Sequence, residues 1–321
     1  MKLIRYASVF IILTAIGILY DKYKKKWSFL DSTYQNEQNI QNYLLNEKSI
    51  LNGKPIIWIH NKYEVNSRNW SSFYSRNTKE LNQPYKKLCI DTVIKYCGDD
   101  FNVCLVDDNS FQKLIPGWSV NIDESADPVK SHLRDLAMVK LIYYYGGIVM
   151  PSSSIVMKNL KDLYYNMCNK KGCFVGELLS EGNVSETIEF FPSSRFIGCK
   201  KNNPAIREVM LYLEQLNDYS NEYEFKSKIN RFLYKLVQEN KMGKIDGKFL
   251  GSKTRDNKRV SIEDLMSDTN IHFHDNLNMI VLPDDDLLKR TKYNWFVRLN
   301  TKQVLKANNN ISKNLLISIG K

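Results

Sequence analysis

Several groups of residues in this chain have types and spacings that could do chemistry. Asp107 and Asp108 stand side by side behind the apolar run FNVCLV. Three serines, Ser152–Ser154, follow Gly146, Gly147 and Pro151 in YYYGGIVMPSSSIVM. Lys253 and Arg255 lie in GSKTRDNKR, and Arg290 and Arg298 in LLKRTKYNWFVR. Two of the four histidines, His272 and His274, alternate in IHFHD with Asp275 behind them. Serine hydroxyls can donate to phosphate oxygens, Arg offers a planar fork to them and Lys a compact charge. Histidines at alternate positions of a strand would point to one face and could share a metal ion. Each group also has an ordinary reading: solvated surface charge, a hydrogen-bonded histidine pair, a loop cap.

The elements that would position these residues are readable from hydrophobic period and punctuation. PIIWI (55–59) is a short β-branched run that fits a buried first strand. Residues 82–97 place Leu88, Ile90, Val93, Ile94 and Cys97 at helical spacing, and FNVCLVDD (101–108) reads as a second strand ending in carboxylates. Strand, helix, strand in this order indicates a βαβ unit and an α/β sheet. The next helix takes Asp127 as N-cap and Pro128 at its first position, lines one face with Leu133, Leu136, Ala137, Leu141 and Tyr144, and ends on Gly146 as a left-handed cap. A strand at 148–150, a turn at Pro151–Ser153, strands at 172–178 and 190–200 and a helix at 203–216 follow. Residues 217–243 read as helical, IHFHD and MIVLP (279–283) as late strands, and KQVLKANNNISKNLLISI as a helical tail.

Composition sets the outer bounds. Hydrophobic residues at 43% and charged residues at 25% are ordinary globular values, which argues against wholesale disorder. The net charge of +11 favours an anionic partner: nucleic acid, a membrane surface or the phosphates of a nucleotide. No nucleic-acid reading motif and no aromatic-basic stripe accompanies it, so nucleic acid is not expected. The six cysteines form no CxxC pair and read as buried free thiols rather than a zinc site. Tyr6–Tyr20 is an uncharged run of 15 residues between Lys2 and Arg5 on one side and Lys22 to Lys26 on the other. With flanking Leu3, Ile4 and snorkelling lysines it reads as a single membrane anchor over 1–26, with a polar stem over 27–53 and a globular domain over 54–321. The heavier C-terminal positive flank puts that domain on the cytoplasmic side. Sequons at Asn69, Asn183 and Asn310 suit the opposite, lumenal orientation.

On these residues the stretch 55–165 resembles the GT-A type glycosyltransferases of the capsular polysaccharide synthesis and DXD sugar-transferase families. PIIWIH resembles their opening strand, KLCIDTVIKYCGDDFNVCLVDDNSF the helix and acidic strand that follow, and RDLAMVKLIYYYGGI the helix that runs into Gly-Gly. The family Asp falls on Asp135, its tyrosines on Tyr143 and Tyr145 and its glycines on Gly146 and Gly147. There are two departures. The family Arg falls on Met138, with Arg134 one turn earlier, and the family Asp-x-Asp falls on Pro151, Ser152 and Ser153.

The resemblance implies a GT-A, Rossmann-like mixed sheet flanked by helices, moving a hexose from a nucleotide sugar to a glycan acceptor, commonly with retention at the anomeric carbon. It implies donor recognition by Asp135 and Arg134, close backbone approach at Gly146 and Gly147, and phosphate contact from Ser152 and Ser153. Trp58 and His60 on the first strand join the donor site, although a mid-strand Trp58 equally fits the core. The families hold Mn²⁺ or Mg²⁺ against the diphosphate with the Asp-x-Asp carboxylates, for which serine is a poor substitute. Metal-independent action with Lys253 and Arg255 supplying charge, a metal moved to His272 and His274, and a non-catalytic binding module are the three outcomes this leaves.

Overall fold

The first strand of the main sheet, β1 (Ile56–His60), is flanked on both sides by parallel neighbours: β2 (Asn102–Val106) and β3 (Gly147–Met150). In this computed structural model residues 40–45, 53–62, 83–178, 190–216 and 221–320 are described. The chain divides into two compact units, 1–43 and 44–321. Of the first, the described residues form one turn, closed by the Tyr43 amide on the Ile40 carbonyl at 3.0 Å. The expected anchor at Tyr6–Tyr20 and the sequons at Asn69 and Asn183 lie outside the described residues. Among the described residues no helix is long and apolar enough to cross a membrane.

Helix α1 (Pro84–Cys97) joins β1 to β2, with proline in its first turn where no N–H is needed. The short α2 (Ser110–Leu114) follows, then the long α3 (Val129–Tyr145), which leads directly into β3. Beyond β3 come β4 (Ser154–Val156), α4 (Lys161–Lys171), β5 (Cys173–Glu177) and β6 (Pro192–Cys199). Helices α5 (Pro204–Gln215) and α6 (Glu222–Gln238) lead to β7 (Gly243–Ile245). The remainder is α7 (Ile262–Met266), β8 (Met279–Val281), α8 (Asp284–Lys289), α9 (Thr301–Lys306) and α10 (Asn310–Ile319). The six-stranded sheet has the order β2-β1-β3-β6-β5-β7, while β4 and β8 make a separate antiparallel pair. Only β6 runs against its neighbours. The α/β class and mixed sheet flanked by helices therefore stand as expected.

Two apolar clusters hold these layers. Ile57, Ile59, Val103, Ile148, Phe174 and Phe196 are fully buried within the main sheet's core. Burial of each such side chain contributes about 1.5–3 kcal/mol. The second cluster packs Leu88 and Cys89 of α1 against Ile155, Ile280, Phe296, Ile311 and Leu315. Thr92 ties the two together: its hydroxyl donates to the Cys89 carbonyl at 2.6 Å and accepts from the Val156 amide at 2.9 Å. All six cysteines are buried free thiols.

The glycine pair has a backbone reason. Gly147 sits at φ +103°, and a Cβ there would collide with the Ile56 carbonyl of β1. Gly146 sits at φ +74°, with the Lys201 amide 2.9 Å from where a Cβ would lie. Its ψ of −171° is not the left-handed cap expected from the sequence; this conformation turns the helix directly into β3. Other expectations also change. The N-cap of α3 is Pro128 rather than Asp127. IHFHD is not a strand, and the C-terminal tail breaks into α9 and α10, with Asn309 capping the second helix. The sequon at Asn310 is unsuited to a glycan in this fold, because Asn310 is buried and its amide donates to the Asp264 and Thr269 carbonyls.

Candidate functional site

At the carboxyl ends of β1 and β3 the chain leaves the sheet and opens a cleft, as α/β sheets do where neighbouring connections diverge. His60 and Lys62 enter it from the end of β1, and Pro151 and Ser152 from the end of β3. Antiparallel β6 starts at this edge and so delivers Ser194 and Arg195 to it. Helix α3 contributes Ser131, Arg134, Asp135 and Met138, α1 contributes Lys86, α6 contributes Glu222 and Lys226, and α8 contributes Asp284 and Asp285.

Charge in this cleft is cross-linked between elements. Arg134 donates from its Nε to Asp108 Oδ1 at 2.9 Å and from a terminal nitrogen to Oδ2 at 2.7 Å, a bidentate clamp. His60 Nε2 meets the same Oδ1 at 3.0 Å. Burial alone would raise the Asp108 pKa, but the hydrogen bonds from His60 and Arg134 hold it well below the usual carboxylate range. Burial lowers the His60 pKa, only partly offset by Asp108. At the other wall Asp284 is shared by Arg195 at 2.5 Å and Lys86 at 3.0 Å. Burial opposes ionisation of Asp284, yet Arg195 and Lys86 keep it well below the ordinary value. Lys226 pairs with Glu222 at 2.7 Å, and against the opposing effect of burial it lowers that carboxyl to about 2.

Asp135 differs from these. Burial raises its pKa, with Lys226 and Lys62 working in the other direction, and its Oδ2 is a buried atom with no hydrogen-bond partner. Leaving such an acceptor unmade costs about 1–3 kcal/mol, which a ligand hydroxyl or N–H would recover.

The sequence candidates separate into those the cleft brings together and those it does not. Asp135, Arg134, His60 and Ser152 line it. Ser153 does not: it is fully buried, and its hydroxyl donates to the Leu282 carbonyl at 2.9 Å. Ser154 donates to the Pro151 carbonyl at 2.7 Å, so this hydroxyl stabilises the turn. Trp58 is a core residue whose indole N–H donates to the Gly146 carbonyl at 3.0 Å. Gly146 and Gly147 make their close approaches to Lys201 and Ile56 of this chain. Lys253 lies elsewhere, buried against Glu177 at 2.7 Å, and Arg255 is exposed with Asp275 3.8 Å away. His272 is exposed, while His274 Nδ1 accepts from the Asn276 amide at 3.1 Å. The irregular backbone removes the strand alternation that would have put both rings on one face.

Sequence reasoning missed Lys86, Arg195, Glu222 and Lys226. Lys86 and Lys226 look like any surface lysine on a helix. Only Arg195, inside the strand-like FPSSRFIGCK, carried a usable signal, because an Arg within a half-buried strand needs an anionic neighbour.

The donor set does not fit a resident hard cation at the end of β3. Ser152 stands where a carboxylate would be needed, and Asp108, Glu222 and Asp284 already hold cationic side chains. Among the described residues no group of three or more His, Cys, Asp or Glu side chains is arranged to hold a metal ion.

No family model and no curated protein matches this sequence. Among solved structures, the chain is similar to one titled "PaToxG Glycosyltransferase", at 14% identity over 66% of this chain and 78% of that one, with a TM-score of 0.34. A TM-score that low does not establish a common fold.

Proposed function

We propose that this chain is a glycosyltransferase of the GT-A type whose cleft takes a nucleotide-sugar donor, with cationic side chains in place of a metal ion. One observation supports this most directly: an unsatisfied carboxylate oxygen on Asp135 shares a cleft with Lys62, Lys86, Arg195 and Lys226. A sugar or ribose hydroxyl suits the first, and a diphosphate suits the second. As the bond to the departing nucleoside diphosphate breaks, negative charge grows on its phosphate oxygens, and preorganised Arg and Lys side chains stabilise that charge. Transfer of a hexose to a glycan hydroxyl, at a membrane through Tyr6–Tyr20 and on its cytoplasmic side, completes the reading.

A second reading, a binding module without turnover, has its own support. Arg195 and Lys86 are already engaged by Asp284, and Lys226 by Glu222, so an incoming diphosphate must displace internal carboxylates. The two readings part on one experiment. The full chain is assayed for donor hydrolysis and transfer with a panel of uridine and guanosine diphospho-hexoses, with and without Mn²⁺, beside thermal shifts with the nucleoside diphosphates. Stabilisation by a nucleoside diphosphate together with metal-independent turnover is the expected result. Stabilisation without turnover leaves the binding module, and neither effect ends both readings.

A further inference from the structure

His60, Asp108 and Arg134 come from β1, from the residue pair after β2, and from α3, and they form a continuous chain of contacts ending in the cleft. We propose that His60 Nδ1 is the general base that takes the proton from the attacking hydroxyl, with Asp108 and Arg134 as positioning residues. This rests on the glycosyl-transfer reading.

The hydrogen bonds fix the tautomer. Arg134 has only protons to give, and Asp108, clamped by it, is ionised and can only accept. The contact between His60 and Asp108 Oδ1 is therefore an Nε2–H donation, and the neutral ring carries its lone pair on Nδ1. Phe111 of α2 stacks on the ring with centroids 5.3 Å apart, which limits its rotation. The charged groups acting on the imidazole are Asp108, Arg134 and Lys62. Burial, with Arg134 and Lys62, outweighs Asp108 and favours the neutral ring at pH 7, while Asp108 stands ready to stabilise the imidazolium once it forms. Asp108 would otherwise be a loop residue; only the pairing with Arg134 turns it into an orienting group.

The step balances without a co-reactant. The hydroxyl O–H bond of the acceptor, water in a hydrolysis assay, breaks and its proton goes to Nδ1. That oxygen bonds to the anomeric carbon as the carbon–oxygen bond to phosphate breaks, and the electron pair leaves on the nucleoside diphosphate. Single displacement of this kind inverts the anomeric configuration, in contrast to the retention that the resemblance of residues 55–165 implies.

The test uses the full chain, UDP-glucose and GDP-mannose as probes, and H60Q, H60A and D108N as variants. Nucleoside diphosphate affinity in H60Q is expected to stay within threefold of wild type, with hydrolysis lowered about 100-fold or more. Wild-type kcat/KM should fall on the acid side with an apparent pKa below 6.5, a limb that H60Q lacks. Added imidazole should restore part of the H60A rate, and the released sugar should be inverted. Independently of turnover, ¹⁵N shifts of the wild-type ring should report Nε2–H, and D108N should lose that preference. A retained anomer, an Nδ1–H ring, or an H60Q enzyme with wild-type rate and pH profile overturns the assignment while leaving donor binding standing. Absence of both nucleotide binding and hydrolysis overturns the assignment together with the reading it rests on.

Discussion

The cleft at the ends of β1 and β3 and the segment from Gly247 to Asp275 hold similar side chains and use them differently. In the segment, each group is either internal or solvated. Lys253 is sealed against Glu177, whose carboxylate also accepts from the Gly247 amide at 3.1 Å, and Arg255 and His272 face solvent. In the cleft, charges brought from separate elements are buried or half-buried, paired, and accompanied by one acceptor left over on Asp135. Residues adjacent in sequence made the more conspicuous cluster, yet residues gathered by the sheet edge line the cleft. A buried acceptor left without a partner beside such pairs is what a ligand can exploit.

That contrast can be broken most forcefully at Glu177. Replacing it with Ala removes the carboxylate paired with a buried ammonium, so a stability loss of about 3–5 kcal/mol is expected from urea denaturation. Nucleoside diphosphate affinity of the folded fraction should not change; a parallel drop would mean the two regions are one. Next in size is Arg195→Ala, expected to weaken nucleoside diphosphate binding about 10- to 100-fold, or roughly 1.4–2.8 kcal/mol, by calorimetry. A change below twofold would remove Arg195 from the proposed phosphate contacts.

Acid and neutral pH sharpen the contrast inside the cleft itself. Glu222 has a depressed folded pKa, about 2 against 4.5, so its stabilisation is complete above pH 4.5 and is lost as pH falls toward 2. E222Q should flatten that part of the stability profile. Asp135 has the opposite sign: its raised pKa makes the ionised form a cost that develops as pH rises through the ordinary carboxylate range. Asp135→Asn should therefore add roughly 1 kcal/mol to stability at pH 7 while weakening donor binding, as read by paired melting and titration curves. The smallest effects belong to Arg255→Ala and His272→Ala, within about 0.5 kcal/mol of wild type in melting experiments and without consequence for nucleotide binding.

The same residues show how far the sequence carries. β1, α1, β2, α3 and β3 were legible because each shows one hydrophobic period bounded by Pro, Gly or paired carboxylates. Asp135, Arg134 and His60 were legible as a group because they lie on or beside those regular elements. Lys86, Arg195, Lys226 and Asp284 were not, since their meaning lies in which partner the sheet order places opposite them. That order, with β6 reversed between β3 and β5, leaves no local trace. IHFHD misled for a related reason: alternation predicts a shared face only where the backbone is extended and paired, and there it is neither.

With no side chain at residue 147, β1 and β3 are held at the separation of two touching main chains. His60 terminates one of those strands and Ser152 follows the other, so the gap between them works like a fixed calliper. Exchanging groups along its jaws alters what is gripped without altering the span. The jaws are therefore free to vary, whereas a single added methyl at the pivot, on the opposite, amino ends of the two strands, is not tolerated.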